Sequence, residues 1–95
     1  MTQVRAHKRV NWQTSEPLPP RWSLQERSIG SLRLHETPGE WRVDDIVAAM
    51  RRGESMPLVS IARDGMVLDG HHRVKAAARV LGEDAVIPVA VHEVW

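Results

Sequence analysis

Residues 67–75 include most of the side chains that could bind a ligand or take part in a reaction. The polar residues of this stretch follow the apolar Val67 and Leu68, and an alanine-rich run comes after them. This order predicts a short buried strand, a glycine turn and a helix. The unpaired N–H groups and positive dipole end of a helix start suit a phosphate, which glycine allows the backbone to approach closely. An arginine in the first turn adds a fork that fits phosphate oxygens. The predicted phosphate-binding residues are Gly70, His71, His72, Arg73 and Lys75.

The role of Asp69 is open between two interpretations. Aspartate before a helix is a favoured cap, so the whole pattern could be an ordinary strand-to-helix connection. A carboxylate beside phosphates is unfavourable without a cation between them, which makes Asp69 a candidate Mg²⁺ ligand if a nucleotide binds. A zinc site on His71 and His72 is disfavoured, because adjacent helical residues point about 100° apart.

Hydrophobic periodicity predicts the elements that must hold this turn. The first helix presents its apolar residues at positions 43, 46, 47 and 50 and stops at Gly53, and the second runs from about His71 to Leu81 and stops at Gly82. Strands are predicted at residues 29–35, 58–63, 66–68 and 86–94. Asp64 and Gly65 indicate a two-residue type I′ hairpin, and Pro88 places the last strand near an edge or at its own start.

These elements predict an α+β fold of the order β-α-β-β-α-β, a mixed sheet with both helices packed on it. The domain is expected at residues 28–95, preceded by an extended or partly disordered arm at residues 1–27 that is interrupted by prolines. A core of this size is thin, so we expect a ligand, a second copy in a homodimer or the arm to add stability.

Composition narrows the classes of function. The 95 residues carry a formal charge of +1, but residues 1–27 hold five Lys or Arg and two Glu, so the arm is basic and the remainder weakly acidic. The arm could therefore contact DNA. The chain has no cysteine, which excludes thiolate catalysis and cysteine-based metal sites. It has no apolar run suited to a signal peptide or a membrane span, so we expect a cytoplasmic protein without a membrane partner.

The turn and its flanks resemble the ParB/sulfiredoxin-like superfamily over residues 29–95. Residues 70–76 (Gly-His-His-Arg-Val-Lys-Ala) are similar in spacing to the ParB phosphate box, Gly-Glu-Arg-Arg-x-Arg-Ala. Sulfiredoxins carry Gly-Gly-Cys-His-Arg here, and His71 stands in place of that cysteine, so sulfinic-acid repair is not expected. Pro38 and Arg42 keep the Pro and Arg spacing of the ParB Asn-Pro-x-Gln-x-Arg motif, which implies that Arg42 reaches the nucleotide.

The free-serine kinases of the same superfamily are more similar still in their motifs. They carry Val-Asp-Gly-His-His-Arg and, after the first strand, His-Glu; residues 68–73 read Leu-Asp-Gly-His-His-Arg, and His35 precedes Glu36. The resemblance implies catalytic roles for Glu36, Asp69 and His72, with Glu36 taking a proton from a hydroxyl acceptor. The chain departs from these kinases by lacking their further region, and from ParB by lacking a helix-turn-helix domain, so sequence-specific centromere binding is not expected.

The resemblance implies a nucleotide-binding domain that uses Mg²⁺ with ATP or CTP and hydrolyses or transfers the terminal phosphoryl group. Catalysis of that kind consists mostly of positioning and charge neutralisation. The alternative is a non-catalytic nucleotide-sensing or DNA-associated module that reaches nucleic acid through the basic arm.

Overall fold

A computed structural model describes residues 9–15 and 17–93. Its strands are β1 (Asn11–Trp12), β2 (Trp22–Ser28), β3 (Ser55–Met56), β4 (Val59–Ala62), β5 (Val67–Asp69) and β6 (Val86–His92). Its helices are α1 (Glu40–Arg51) and α2 (His71–Leu81), and a 3₁₀ turn spans Ile29–Ser31. The predicted α+β class, with two helices packed on a mixed sheet, is confirmed.

The main sheet has four strands in the order β2-β6-β4-β5. β6 runs antiparallel to β2 and parallel to β4, and β4 runs antiparallel to β5. A second, two-stranded sheet pairs β1 with β3 in parallel. β5 is therefore an edge strand, and the chain leaves it directly into the turn that begins α2.

The core lies between the helices and one face of the main sheet. Alternate residues of the strands point into it because side chains on a strand alternate between its two faces. Both helices contribute one apolar stripe, as their periodicity predicted. The buried residues of α1 are Val43, Val47 and Met50, those of α2 include Val74, Ala76 and Ala77, and the strands supply Val59, Ile61, Val67, Ile87, Val89 and Val91. The alanines of α2 allow that helix to pack closely.

The predicted strand at residues 29–35 is wrong as a whole, because within it only Arg33 pairs with a strand residue, in an isolated parallel bridge to Met66. Residues 29–31 form the 3₁₀ turn, and the strand that pairs with β6 is β2, along its whole length from Trp22 to Ser28. The sequence pattern does not predict β2, because the residues that pair with the buried Val91, Val89 and Ile87 of β6 are polar. These residues are Ser23, Gln25 and Arg27. The domain boundary predicted between residues 27 and 28 thus falls inside a strand, and residues 22–27 belong to the sheet. Residues 1–8 of the predicted arm lie outside the described residues.

Two details of the remaining strands differ from their predictions. β6 is an inner strand, although its pairing with β4 starts only at Val89, so Pro88 has a strand partner on the β2 side alone. The N–H of Ala62 donates to the carbonyl of Met66 and the N–H of Gly65 to the carbonyl of Ala62, both at 2.9 Å, so the loop between Ala62 and Met66 has three residues instead of two. A type I′ turn requires positive φ at both central residues, but of Asp64 and Gly65 only the glycine has it, at 94°.

Among residues 9–15 and 17–93, neither helix has the length and apolar character needed to cross a membrane.

Candidate functional site

One cleft brings together seven residues that the sequence analysis singled out. Its volume is about 520 Å³, within the range of roughly 300–1,000 Å³ that is usual for small-molecule sites. It is formed by the loop before α1, the first half of α1, the link between β3 and β4, and the turn from β5 into α2. The predicted residues that line it are Glu36, Arg42, Asp69, Gly70, His71, His72 and Arg73. Lys75, also predicted to bind phosphate, is exposed on α2 and does not line the cleft.

The turn into α2 has the backbone conformation that a phosphate site requires. Gly70 is the N-cap and has φ of 109°, in the left-handed region that glycine adopts without strain. A Cβ at this position would approach Nη2 of Arg73 and Cγ2 of Val59 to 3.2 Å. The first N–H groups of a helix have no partner within it, and those of α2 belong to residues that line the cleft. The positive end of the α2 dipole therefore lies at the cleft.

Asp69 does not cap α2, since Gly70 occupies the cap position. Its carboxylate accepts a hydrogen bond from Nη2 of Arg73 at 3.2 Å and is otherwise open, with 79% of the side chain exposed. Glu36 is likewise exposed and lies on the loop before α1. The described residues contain no group of three or more His, Asp or Glu that could hold a metal. A cation at Asp69 would therefore need oxygen atoms of a bound ligand to complete its coordination.

The guanidinium of Arg73 is engaged by the protein itself. Nη1 donates to the carbonyl oxygens of Pro57 and Leu58 at 2.6 and 3.2 Å, and only 14% of the side chain is exposed. These bonds fasten the link between β3 and β4 to the start of α2. A guanidinium has five N–H donors, so the group can still face an anion, but its recorded contacts build the cleft wall. Arg73 thus has a positioning role in this structure, and its predicted contact with phosphate stays a prediction.

His72 joins the starts of the two helices. Its Nε2 accepts a hydrogen bond from the backbone N–H of Gly39, the N-cap of α1, at 3.2 Å. An accepting Nε2 requires a neutral ring with its proton on Nδ1. The donor that His72 can present to a ligand is consequently Nδ1–H.

His71 is a buried histidine in the wall of the cleft. It is 7% exposed, and its ring meets that of His35 edge-on, with centroids 4.5 Å apart. Burial lowers the pKa of His71 below its usual 6.5; Glu36 opposes this shift, whereas His35 and His72 reinforce it. Within the described part of the chain, its buried Nε2 has no hydrogen-bond partner. An unpartnered buried nitrogen is costly, and a ligand or a water molecule would relieve that cost.

The sequence analysis missed the contribution of β3 and of the link that joins it to β4. Ser55, Met56 and Pro57 line the cleft, as does Ile46 from α1. Pro57 directly precedes the predicted strand at residues 58–63, and nothing in its residue type indicates a ligand site. The link reaches the cleft because Arg73, distant in sequence, binds it.

Two other clefts have similar volumes, about 560 and 590 Å³. The first lies beside the two-stranded sheet and includes Arg9 and Trp12. The second is mostly apolar and lies along the β4–β5 hairpin, next to Met66 and Leu68. The three clefts therefore do not differ in size. The cleft at the start of α2 is the candidate site because it combines a helix N-terminus with several polar side chains.

Comparison of the chain with protein-family models, with curated proteins and with solved structures finds no match.

Proposed function

We propose that this chain is a nucleotide-binding domain of the ParB/sulfiredoxin-like kind. It holds the phosphates of ATP or CTP at the start of α2 and, with Mg²⁺, transfers the terminal phosphoryl group to a hydroxyl acceptor or to water. The observation that carries the proposal is the cleft itself. It joins a glycine-capped helix start, the exposed cation of Arg42 and the buried side chain of His71.

The reaction requires little covalent participation by the protein. The acceptor oxygen attacks the terminal phosphorus, the bond to the bridging oxygen breaks, and the nucleoside diphosphate leaves. Glu36 is exposed at the cleft and is the group that takes the acceptor proton. The N–H groups at the start of α2 and the guanidinium of Arg42 stabilise the charge on the phosphate oxygens.

Asp69 is the residue that would bind Mg²⁺. In nucleotide sites this ion is usually held by one or two carboxylates together with phosphate oxygens, and the exposed carboxylate of Asp69 beside the helix start fits that pattern. The ion supplies further neutralisation of phosphate charge when it is bound. The pairing of Asp69 with Arg73 orients the carboxylate.

Calorimetric titration of the full chain with ATP and CTP, with and without Mg²⁺, tests the site. The variant Arg42→Ala should weaken binding roughly 10- to 150-fold, the equivalent of one hydrogen bond to a charged group. Arg51→Ala removes an exposed arginine from the last turn of the same helix and should leave affinity unchanged. Binding that is insensitive to Arg42, or as sensitive to Arg51, would rule out phosphate contact in this cleft.

The alternative, a DNA-associated module, has its own supporting observation. Arg9 and the half-buried Trp12 line a second cleft of about 560 Å³, and a cation beside an aromatic ring is a common arrangement in single-strand binding. Gel-shift titrations over a range of salt concentrations test it. Binding to single-stranded DNA should weaken steeply with salt, by a logarithmic slope of about −0.7 per phosphate contacted. Salt-independent binding, or none, would exclude this function.

A further inference from the structure

Trp41 is the most exposed large apolar residue of the described chain. It is 67% exposed, in the first turn of α1, and the guanidinium carbon of Arg42 lies 5.2 Å from the centre of its ring. A single exposed apolar side chain is common on protein surfaces. What distinguishes Trp41 is that its cationic partner lines the candidate cleft.

The indole also lies next to the junction of the two helix starts. A Cβ built on Gly39 would be 3.8 Å from Nε1 of Trp41, and the N–H of Gly39 donates to His72 at 3.2 Å. Gly39 thus lies between the indole of Trp41 and His72 at the start of α2. Trp41 does not itself line the cleft, but Arg42, whose guanidinium lies against its ring, does.

Arg42 holds the indole in a defined arrangement without covering it. A guanidinium over an aromatic face is attracted by the ring quadrupole, which restricts both side chains before any ligand arrives. Because two-thirds of Trp41 stays exposed, the ring retains open surface for a second flat partner. Aromatic side chains stack on nucleobases in this manner, and the contact tolerates any base because each has a π face.

We propose that Trp41 stacks on the base of the nucleotide whose phosphates lie at the start of α2. This inference rests on the proposed function and adds the recognition of the base to it. The site then has two separate contacts, one for phosphate at the α2 turn and one for the base at Trp41. Selection among bases is weak, and the larger purine ring of ATP gains more from the stack than the pyrimidine of CTP.

The experiment compares nucleotides with inorganic triphosphate, which has the phosphates but no base. The full chain and its variants Trp41→Ala, Trp41→Phe and Leu24→Ala are titrated calorimetrically with ATP, CTP and inorganic triphosphate in the presence of Mg²⁺. Leu24 is the matched control, because it is an apolar residue 50% exposed on β2, at the opposite edge of the sheet from β5. Circular dichroism confirms that each variant is folded.

Trp41→Ala is expected to weaken ATP binding roughly 5- to 150-fold, with a smaller loss for CTP and the smallest for inorganic triphosphate, which loses only the restraint that the ring places on Arg42. Trp41→Phe should retain most of the affinity, and Leu24→Ala all of it. An equal loss for ATP and inorganic triphosphate, or no loss for either, would overturn the stacking role while leaving the phosphate site in place. A full chain that binds neither ligand would overturn the proposed function together with this inference.

Discussion

At the scale of single residues, Arg73 and Arg42 have different roles in the cleft. Arg73 is nearly buried and bonded to two backbone carbonyls, so its charge mainly holds the wall together. Arg42 is exposed, with an aromatic ring as its recorded contact, and its guanidinium can turn toward an incoming anion. The cleft therefore separates the cation that builds the site from the cation that is available to a ligand.

In the proposed reaction, the carboxylate of Glu36 accepts the proton of the hydroxyl acceptor. Glu36→Gln keeps the size and polarity of the side chain but cannot accept the acceptor proton, so turnover should fall roughly 10²- to 10⁴-fold while nucleotide affinity stays the same. Turnover is measured as release of nucleoside diphosphate. Glu83→Gln, an exposed glutamate just after α2, provides the control. Full activity in Glu36→Gln would exclude it as the base, and an inactive parent chain would favour a binding module.

The buried His71 should make stability depend on pH. Its pKa is lowered in the folded chain below the ordinary 6.5, so the unfolded chain binds its proton more readily. Folding free energy from this residue is present above pH 6.5 and is lost as the pH falls toward the lowered value. Urea unfolding at about pH 7.5 and about pH 5.5 should show a smaller loss for His71→Gln than for the parent. An equal loss in both would contradict this role.

At the scale of elements, the candidate site depends on how α2 is joined to the sheet. β5 ends directly before Gly70, and the side chain of Arg73 donates to the backbone carbonyl of Pro57, just before β4. The cap of α1 bonds to His72 in the same region. β5, the residues before β4 and the cap of α1 are thereby fixed around the start of α2. A site whose parts are already fixed can bind an anion without a large reorganisation.

Removing the Arg73 contacts should loosen this junction. Arg73→Ala leaves the carbonyls of Pro57 and Leu58 without their charged donor, and we expect the free energy of unfolding to fall by about 1.5–3 kcal/mol. Arg73→Lys should recover part of this, because a lysine can reach one carbonyl but lacks the fork. Denaturant unfolding measures the change, with Arg51→Ala as an exposed control. A stability equal to the parent's would show that the two hydrogen bonds are not structural.

The elements around the site differ in how well the sequence predicts them. α2 was predicted from about His71 to Leu81 and has those bounds, because a glycine stands at each end and its apolar stripe is regular. β2 was missed because edge strands need no apolar alternation, and its polar Ser23 and Gln25 instead form a hydrogen-bonded row with Glu93. The hydrophobic pattern of a short segment does not reveal which groups, distant in sequence, its polar side chains will contact.

Because local pattern does not reveal contacts between distant residues, only part of the candidate site was predictable from the sequence. The candidate residues on the turn are neighbours in sequence, so their grouping was predictable, and Glu36 and Arg42 were added by resemblance. The engagement of Arg73 was not predictable, because its partners lie 15 and 16 residues earlier and are backbone carbonyls of ordinary residues. Burial of His71 also follows from packing against His35, which no spacing rule indicates.

At the scale of the whole molecule, β2 completes the sheet on the side away from the site. It pairs with β6 through seven residues, and β6 supplies the buried Ile87, Val89 and Val91. Without β2, the inner strand would become an edge strand next to the core. A small domain has little stability to spare for that loss.

A shortened chain of residues 28–95 tests the domain boundary. Because it lacks nearly all of β2, we expect it to show no cooperative unfolding transition by circular dichroism, in contrast to the full chain. If the shortened chain unfolds at the same midpoint as the full chain, β2 is dispensable and the domain does begin near residue 28.

The central claim is that nucleotide phosphates bind at the start of α2. The most direct test follows the backbone amide resonances of the ¹⁵N-labelled full chain during titration with ATP and Mg²⁺. We predict the largest saturable shifts at Gly70, His71, His72 and Arg73, because their N–H groups would donate to or lie beside the phosphates. Shifts confined to the region of Asn11 and Trp12, or a spectrum that ATP does not change, would contradict the account.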